Sequence, residues 1–393
     1  MSEQLFRKAK EVIRQFHKHG FQAYIVGGAV RDYLLKREIA DIDIATSAKP
    51  QQIMEIFPKV IPTGIQHGTV LVRYQNDSFE VTTFRTDGQY DDFRHPSEVF
   101  FVNDLKLDLA RRDFTLNAIA MTENLDYIDP FKGQEAIANK IITTVGDANK
   151  RINEDPLRIM RAVRFSSQLH FRIDNNTLES INEYAHLIQK ISIERVAVEW
   201  EKLIKGDNIR HALTVFFNVK LHQYIPILKD DVRTVDFLKK IDNSIPSWSC
   251  FIAAATWKNV HITIADWTKQ WKLSNQIKRN ATTLSNCLHD YIKGEEKLAL
   301  YNLPESSLND FARLIQLITD HTISVELLRK RKMNLPIQSR KDIVIDGTML
   351  IELSNDKTPG KWIHEMLQQM EKEIVNGHLT NDVKILSEWI KNA

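Results

Sequence analysis

Two aspartates, Asp41 and Asp43, flank Ile42 in the short β-branched run DIDIAT. On a strand of period two, both carboxylates face one way and Ile42 faces the core. Adjacent carboxylates repel one another, and a divalent cation such as Mg2+, which favours oxygen ligands, removes that cost. A bare Asp-x-Asp also suits two surface acids on an edge strand, but its upstream neighbours shift the balance. Gly27 and Gly28 stand where a strand ends and a helix opens. Without Cβ atoms they let main-chain N–H groups approach a phosphate, and the helix N-terminus adds partial positive charge. Arg31, one turn in, offers a guanidinium. Glu80, on the later run FEVTTF, is either a third carboxylate facing the metal or a solvent-facing acid.

Two further segments carry chemistry. Arg111-Arg112-Asp113 reads as the opening of a helix, with Asn117 one turn on. An arginine there binds phosphate or ribose oxygens, and Asp113 orients it or caps the helix. Surface arginines on a capped helix are the plainer alternative. In EDPLRIMRAVRF, Asp155 fits an N-cap and Pro156 the first helical position. Arg158, Arg161 and Arg164 follow at intervals of three, with Leu157, Ile159, Met160 and Val163 packing inward. Three arginines so spaced repel unless an anion or carboxylates lie among them. Asp155 and Arg158 together present acceptors and donors on one edge, which suits the hydrogen-bonding edge of a base.

The elements that must hold these residues change along the chain. Strand patterns fall at 22–28, 41–46, 69–74 and 79–84, with helical patterns between them, for example at 29–36 and 50–57. They predict an α/β or α+β domain on one sheet. Beyond about residue 145 strand signals nearly vanish, and helical periodicity dominates at 156–169, 177–189, 193–204, 361–374 and 382–390. A length of 393 residues suggests two or three domains, and 43% hydrophobic with 26% charged residues excludes a disordered chain or a fibre. No apolar run is long enough for a membrane span, and the amphipathic opening segment lacks the apolar core of a signal peptide. Two cysteines, Cys250 and Cys287, cannot form a disulfide framework, so a reduced cytoplasmic protein is expected.

The net charge of +2 is a sum over opposites. Residues 1–140 hold 18 Lys and Arg against 20 Asp and Glu, and the remainder 35 against 31. Six basic residues and no acid lie between Arg329 and Lys341, and four between Trp267 and Arg279, interleaved with Trp267 and Trp271. Solvated helix faces are the ordinary explanation for such clusters; basic residues beside aromatics also suit a nucleic-acid backbone.

Taken in order, GGAVRD, DIDIAT, RRDFTLNAIA, DPFKGQEAI, EDPLRIMRAVRF and SIERVAVEWEKLIKG resemble the bacterial class II tRNA nucleotidyltransferases, the CCA-adding enzymes. The resemblance runs from about residue 24 to 206 and more loosely beyond. It implies a polymerase beta-like nucleotidyltransferase head over 1–145, then all-α neck (146–206), body (207–305) and tail (306–393) domains. It implies addition of C, C and A to the 3′ end of tRNA from CTP and ATP by two-Mg2+ nucleotidyl transfer. Asp41 and Asp43 match the family's metal-binding carboxylates, Gly28 and Arg31 its triphosphate turn, and Arg112 its nucleotide-binding arginine. Asp155 and Arg158 match its protein template for the incoming base, and Arg161 and Arg164 its further nucleotide-contacting arginines. The polar segment 85–99 favours full CCA addition over CC addition. A-only addition remains an alternative, as does a poly(A) polymerase, although the basic terminal extensions usual in the latter are not seen. His289-Asp290 lacks the other ligands of a phosphohydrolase and reads as surface. Oligomeric state stays open to a homodimer.

Overall fold

The computed structural model describes residues 2–88, 98–354 and 358–392. These fall into two compact units, Met1–Asp230 and Asp231–Ala393.

The first unit opens with α1 (Ser2–Lys18), whose Ala9, Val12, Ile13 and Phe16 are fully buried. Strand β1 (Ala23–Val26) leads through Gly27 into α2 (Gly28–Leu34), then β2 (Asp43–Thr46), α3 (Pro50–Ile56), β3 (Val60–Gly64), β4 (Thr69–Tyr74), β5 (Asp77–Thr83), β6 (Arg85–Asp87) and β7 (Val99–Phe101). Helix α4 (Leu105–Ala110), β8 (Ala120–Met121), β9 (Tyr127–Ile128) and α5 (Gly133–Ala138) complete this region. Seven strands form one mixed sheet in the order β3-β4-β5-β2-β1-β8-β9. Within it β2 runs parallel to β5 and antiparallel to β1, so Asp43 lies opposite Glu80 on one side and Val26 on the other. Val26, Ala45, Phe84, Leu105, Leu109 and Ala120 close one buried cluster under α4. Each of the larger side chains among them, Val26, Phe84, Leu105 and Leu109, contributes about 1.5–3 kcal/mol when taken from water.

The expected strand 41–46 starts two residues later, at Asp43, so Asp41 sits on the approach to the strand rather than within it. The Arg111–Asp113 segment does not open a helix: Arg111 caps the C-terminus of α4, and only the short 3-10 turn Thr115–Asn117 follows.

Beyond a two-residue strand pair (β10 Ile141–Ile142, β11 Arg172–Ile173) the first unit is helical: α6 (Ala148–Glu154), α7 (Leu157–Leu169), α8 (Asn175–Tyr184), α9 (Ile193–Ile204) and α10 (Ile209–Asn218). Both α9 and α10 pack on α7. As a result α7 is buried nearly all round, including Arg158 and Arg164, rather than on the apolar side alone.

The second unit is all helical, from Val232–Lys239 to Val383–Asn392. Trp267 and Trp271 are fully buried, packed with Trp248 and Phe251 at ring distances of 4.8–5.1 Å, so they are core residues and not a stacking surface for bases. The 329–341 cluster is largely paired within the unit: Arg329 with Glu305, Arg331 with Glu296 and Arg340 with Glu371, while Lys332 donates to the Leu300 and Tyr301 carbonyls. His289 is exposed. Both cysteines are buried and free. Among the described residues no helix is long and apolar enough to cross a membrane.

Candidate active site

A cavity of about 590 Å3 in the first unit gathers every sequence-predicted site residue: Gly28, Arg31, Asp41, Asp43, Arg112, Asp155, Arg158, Arg161 and Arg164 all line it. The β1–α2 turn forms one wall. Gly27 takes φ +74° and ψ −136°, a backbone region that glycine alone enters readily, and a Cβ there would lie 3.1 Å from an Arg112 guanidinium nitrogen and 3.6 Å from Asp43 Oδ2. The position that requires glycine is therefore Gly27, one residue before Gly28, which the family resemblance assigns to the triphosphate turn.

The carboxylates sit opposite this turn. Ile42 is buried while Asp41 and Asp43 are exposed, so the alternation expected of a strand holds although Asp41 precedes it. Although Asp43 keeps one side open to solvent, its carboxyl is sunk among neighbours. Burial, then Glu80, then Asp41 push its pKa up to about 6, against the opposing pull of Arg112. Glu80 thus acts on Asp43 from the next strand but does not line the cavity. Among the described residues no three His, Cys, Asp or Glu side chains converge as a ready-made metal cage. Mg2+ needs none: it is usually held by one or two carboxylates with water and substrate phosphates. Two oxygen donors on a shared open face, made costly by mutual repulsion, fit such a cation.

The arginines are held by acids, of which only Asp113 was singled out from the sequence. Asp108, fully buried on α4, takes Arg111 at 3.0 Å and Arg112 at 3.3 Å. The i,i+3 and i,i+4 spacing was the available signal. Burial pulls the Arg112 pKa down, countered by Asp108 and Asp43. Asp113, expected to orient Arg111 or Arg112, instead accepts from Arg161 on α7: Nε lies at 2.8 Å and a terminal nitrogen at 2.6 Å. It also accepts from the Asn117 amide at 3.0 Å and the Phe114 N–H at 2.8 Å. Burial opposes its ionisation, but Arg161 and these donors outweigh it and hold the carboxyl well below the usual range. Arg31 donates to Asn117 at 2.8 Å and pairs with Asp32 through two nitrogens. On α9, Glu199 lies 3.0 Å from Arg164 and 3.6 Å from Arg161. Burial, with Arg161 beside it, brings the Arg164 pKa down to about 10, and its guanidinium lies 3.9 Å over the Phe165 ring. With Glu154 3.2 Å from Arg158, the carboxylates required among the three arginines are Asp113, Glu154 and Glu199.

The Asp155–Arg158 pair is braced similarly. Asp155 is the C-cap of α6, with Pro156 in the N-cap place of α7, yet its Oδ1 still accepts from the Leu157 N–H at 3.1 Å. Its Oδ2 accepts from Arg195 at 2.9 Å. Arg158 donates to the Arg151 carbonyl at 2.9 Å, Glu154 at 3.2 Å and the Arg111 carbonyl at 3.2 Å. In segment 85–99, residues 89–97 lie outside the described residues; Arg85 and Asp87, at its start, line the cavity.

A strand–turn–helix wall, an acidic pair and seven arginines line one polar cavity, a set of groups whose chemistry suits a polyphosphate and a cation. Comparison with known proteins finds relatives along the whole chain. The family model for the poly A polymerase head domain matches residues 23–143. The model for a probable RNA and SrmB-binding site of polymerase A matches 170–231, and that for a putative tRNA nucleotidyltransferase domain 2 matches 239–390. The CCA-adding enzyme of Oceanobacillus iheyensis is 40% identical, over 99% of this chain and 98% of that one. That of Anoxybacillus flavithermus is 42% identical, over 99% and 97%. Among solved structures, the Bacillus stearothermophilus CCA-adding enzyme in complex with CTP aligns at TM-score 0.85 and 36% identity, over 98% and 97% of the two chains. The Thermotoga maritima CCA-adding enzyme complexed with tRNA shares the fold at TM-score 0.65 and 20% identity, over 99% and 95%. With the likeness running end to end and the polymerase beta-like head intact, this chain belongs to the CCA-adding enzymes, a family of nucleotidyltransferases.

Proposed function

We propose that this chain adds C, C and A to the 3′ end of tRNA from CTP and ATP, in the cytoplasm, with Mg2+ held at Asp41 and Asp43. The observation that carries this reading is the single cavity in which the Asp41–Asp43 pair, the Gly27–Gly28 turn and the Asp155–Arg158 edge face one another. The cation would supply Lewis-acid charge at the attacking hydroxyl and the triphosphate.

The chain's own residues do the rest. The Gly28 end of α2 and Arg31 bind phosphate oxygens, and Arg112 adds a guanidinium beside Asp43. Cytosine and adenine share an exocyclic amino donor where uracil and guanine carry a carbonyl. A carboxylate at Asp155 accepts from the first pair and repels the second, and a buried polar edge left unpaired rejects the wrong base. The head, neck, body and tail limits given above remain part of this proposal. In the tail, Lys330 and Lys341 are the members of the 329–341 cluster whose side chains make no ion pair or hydrogen bond among the described residues, which makes them the proposed contacts to the tRNA backbone. Replacing either with Gln should lower the salt slope of tRNA binding by about one. Equal slopes for variant and parent would remove them from the interface.

Gly27→Ala should raise the KM for CTP about tenfold or more with the fold retained, because an alanine cannot hold the turn's backbone conformation without strain and its methyl crowds the Arg112 guanidinium. An unchanged KM would count against the phosphate turn. The whole reading is tested by incubating tRNA lacking its 3′ CCA with Mg2+ and each nucleotide alone and together. Growth by C-C-A is expected; a run of A residues indicates a poly(A) polymerase, and extension only of tRNA already ending in C-C indicates A-addition.

A further inference from the structure

We propose that Arg195 is a positioning residue for base selection, acting only through Asp155. This rests on the reading of Asp155 as a base-contacting acceptor. Arg195 lies in the first turn of α9, whereas Asp155 stands at the α6–α7 junction 40 residues earlier. Asp155 lines the cavity and Arg195 does not.

A carboxylate turns readily about its terminal torsion, which is broad and two-fold. Here each oxygen is tied: Oδ1 to the Leu157 N–H and Oδ2 to the Arg195 guanidinium. Two donors from different elements fix the plane of the group. Each oxygen has two acceptor sites, so one on each is left for another donor. A carboxylate fixed in that plane can tell an amino group from a carbonyl by position; a freely turning one tells them apart less sharply, because it can swing away from the repulsive partner.

Both chain partners of Asp155 belong to the first unit, with α9 packed along α7, so the brace is built into the helix pair that carries Arg158, Arg161 and Arg164.

The test is single-nucleotide addition by the full chain, C against U on tRNA lacking CCA and A against G on tRNA ending in C-C. Arg195→Met should lower both ratios of kcat/KM about tenfold. Arg195→Lys, which keeps the charge but not the fork, should fall between the parent and Arg195→Met. In an Asp155→Asn background, Arg195→Met should add nothing. Equal loss of kcat/KM for right and wrong nucleotides would mean a merely structural arginine and overturn the inference, as would full additivity with Asp155→Asn. If Arg195→Met does not fold, Arg195→Lys carries the same readout. If Asp155→Asn itself leaves both ratios unchanged, the reading of Asp155 fails, and that result is distinct from a silent Arg195.

Discussion

Asp43→Asn is expected to abolish nucleotide addition, lowering kcat/KM at least about a thousand-fold, roughly 4 kcal/mol of transition-state stabilisation, while making the metal-free protein more stable. The two effects share one cause. Burial, Glu80 and Asp41 raise the Asp43 pKa to about 6, so at neutral pH the folded state bears an ionised group it disfavours. For an acid whose folded pKa is raised, the penalty is absent below the unfolded pKa, near 4, grows as pH rises to about 6, and is full above it. After allowance for the solvent on its open side, the amide should gain roughly 1 kcal/mol, or about 2–4 °C in Tm, at pH 7.5 without divalent ions. At pH 4 the gain should vanish. Adding Mg2+ should reverse the order, stabilising the parent and not the variant. The parent's Mg2+ affinity should weaken as pH falls below about 6, where protons compete for the carboxylate. Melting curves with and without Mg2+ at the two pH values read all of this. A variant less stable than the parent in metal-free buffer, or one still active, would remove the carboxylate-pair assignment.

The second large effect belongs to Asp113. Asp113→Ala removes a buried carboxylate that holds Arg161, Asn117 and the Phe114 N–H, leaving a guanidinium with only the longer contact to Glu199. Breaking a buried pair from one side costs about 3–5 kcal/mol. For a unit of this size that is on the order of 10 °C in Tm. The pH signature runs opposite to that of Asp43. A depressed folded pKa gives stability that is full above the unfolded value, near 4, and is lost as pH falls below it. The parent should therefore lose stability on acidification from pH 5 towards pH 2 more steeply than the variant, narrowing the gap between them. Because Arg31 is linked to Asp113 through Asn117, the KM for CTP should rise as well. A small, pH-independent drop in Tm would show that the pair contributes little.

Much of this site was legible in the chain because its parts are local. Gly27–Arg31, Asp41–Asp43 and Asp155–Arg164 each occupy one turn, one strand end or one helix, where spacing alone fixes which side chains are neighbours. The short strands were less legible: β8 and β9, of two residues each, carry no periodicity, and β3 has almost no buried face. The tryptophans at 267 and 271 look the same on a helix whether they face a core or a nucleic acid; only the packing of Trp248 and Phe251 against them decides.

By itself, the sequence determined the inventory: a Gly-Gly turn, an acidic pair and an arginine-rich helix, on a sheet followed by helices. The tertiary structure decided the pairings. Asp113 serves Arg161 rather than its neighbouring arginines, because α7 passes over it while Asp108 is already buried beneath Arg111 and Arg112. Glu199 and Arg195 enter only because α9 packs on α7. The physical reason is that a charge taken out of water must find an opposite charge within a few ångströms in space, and its nearest partner in space is often far away along the chain.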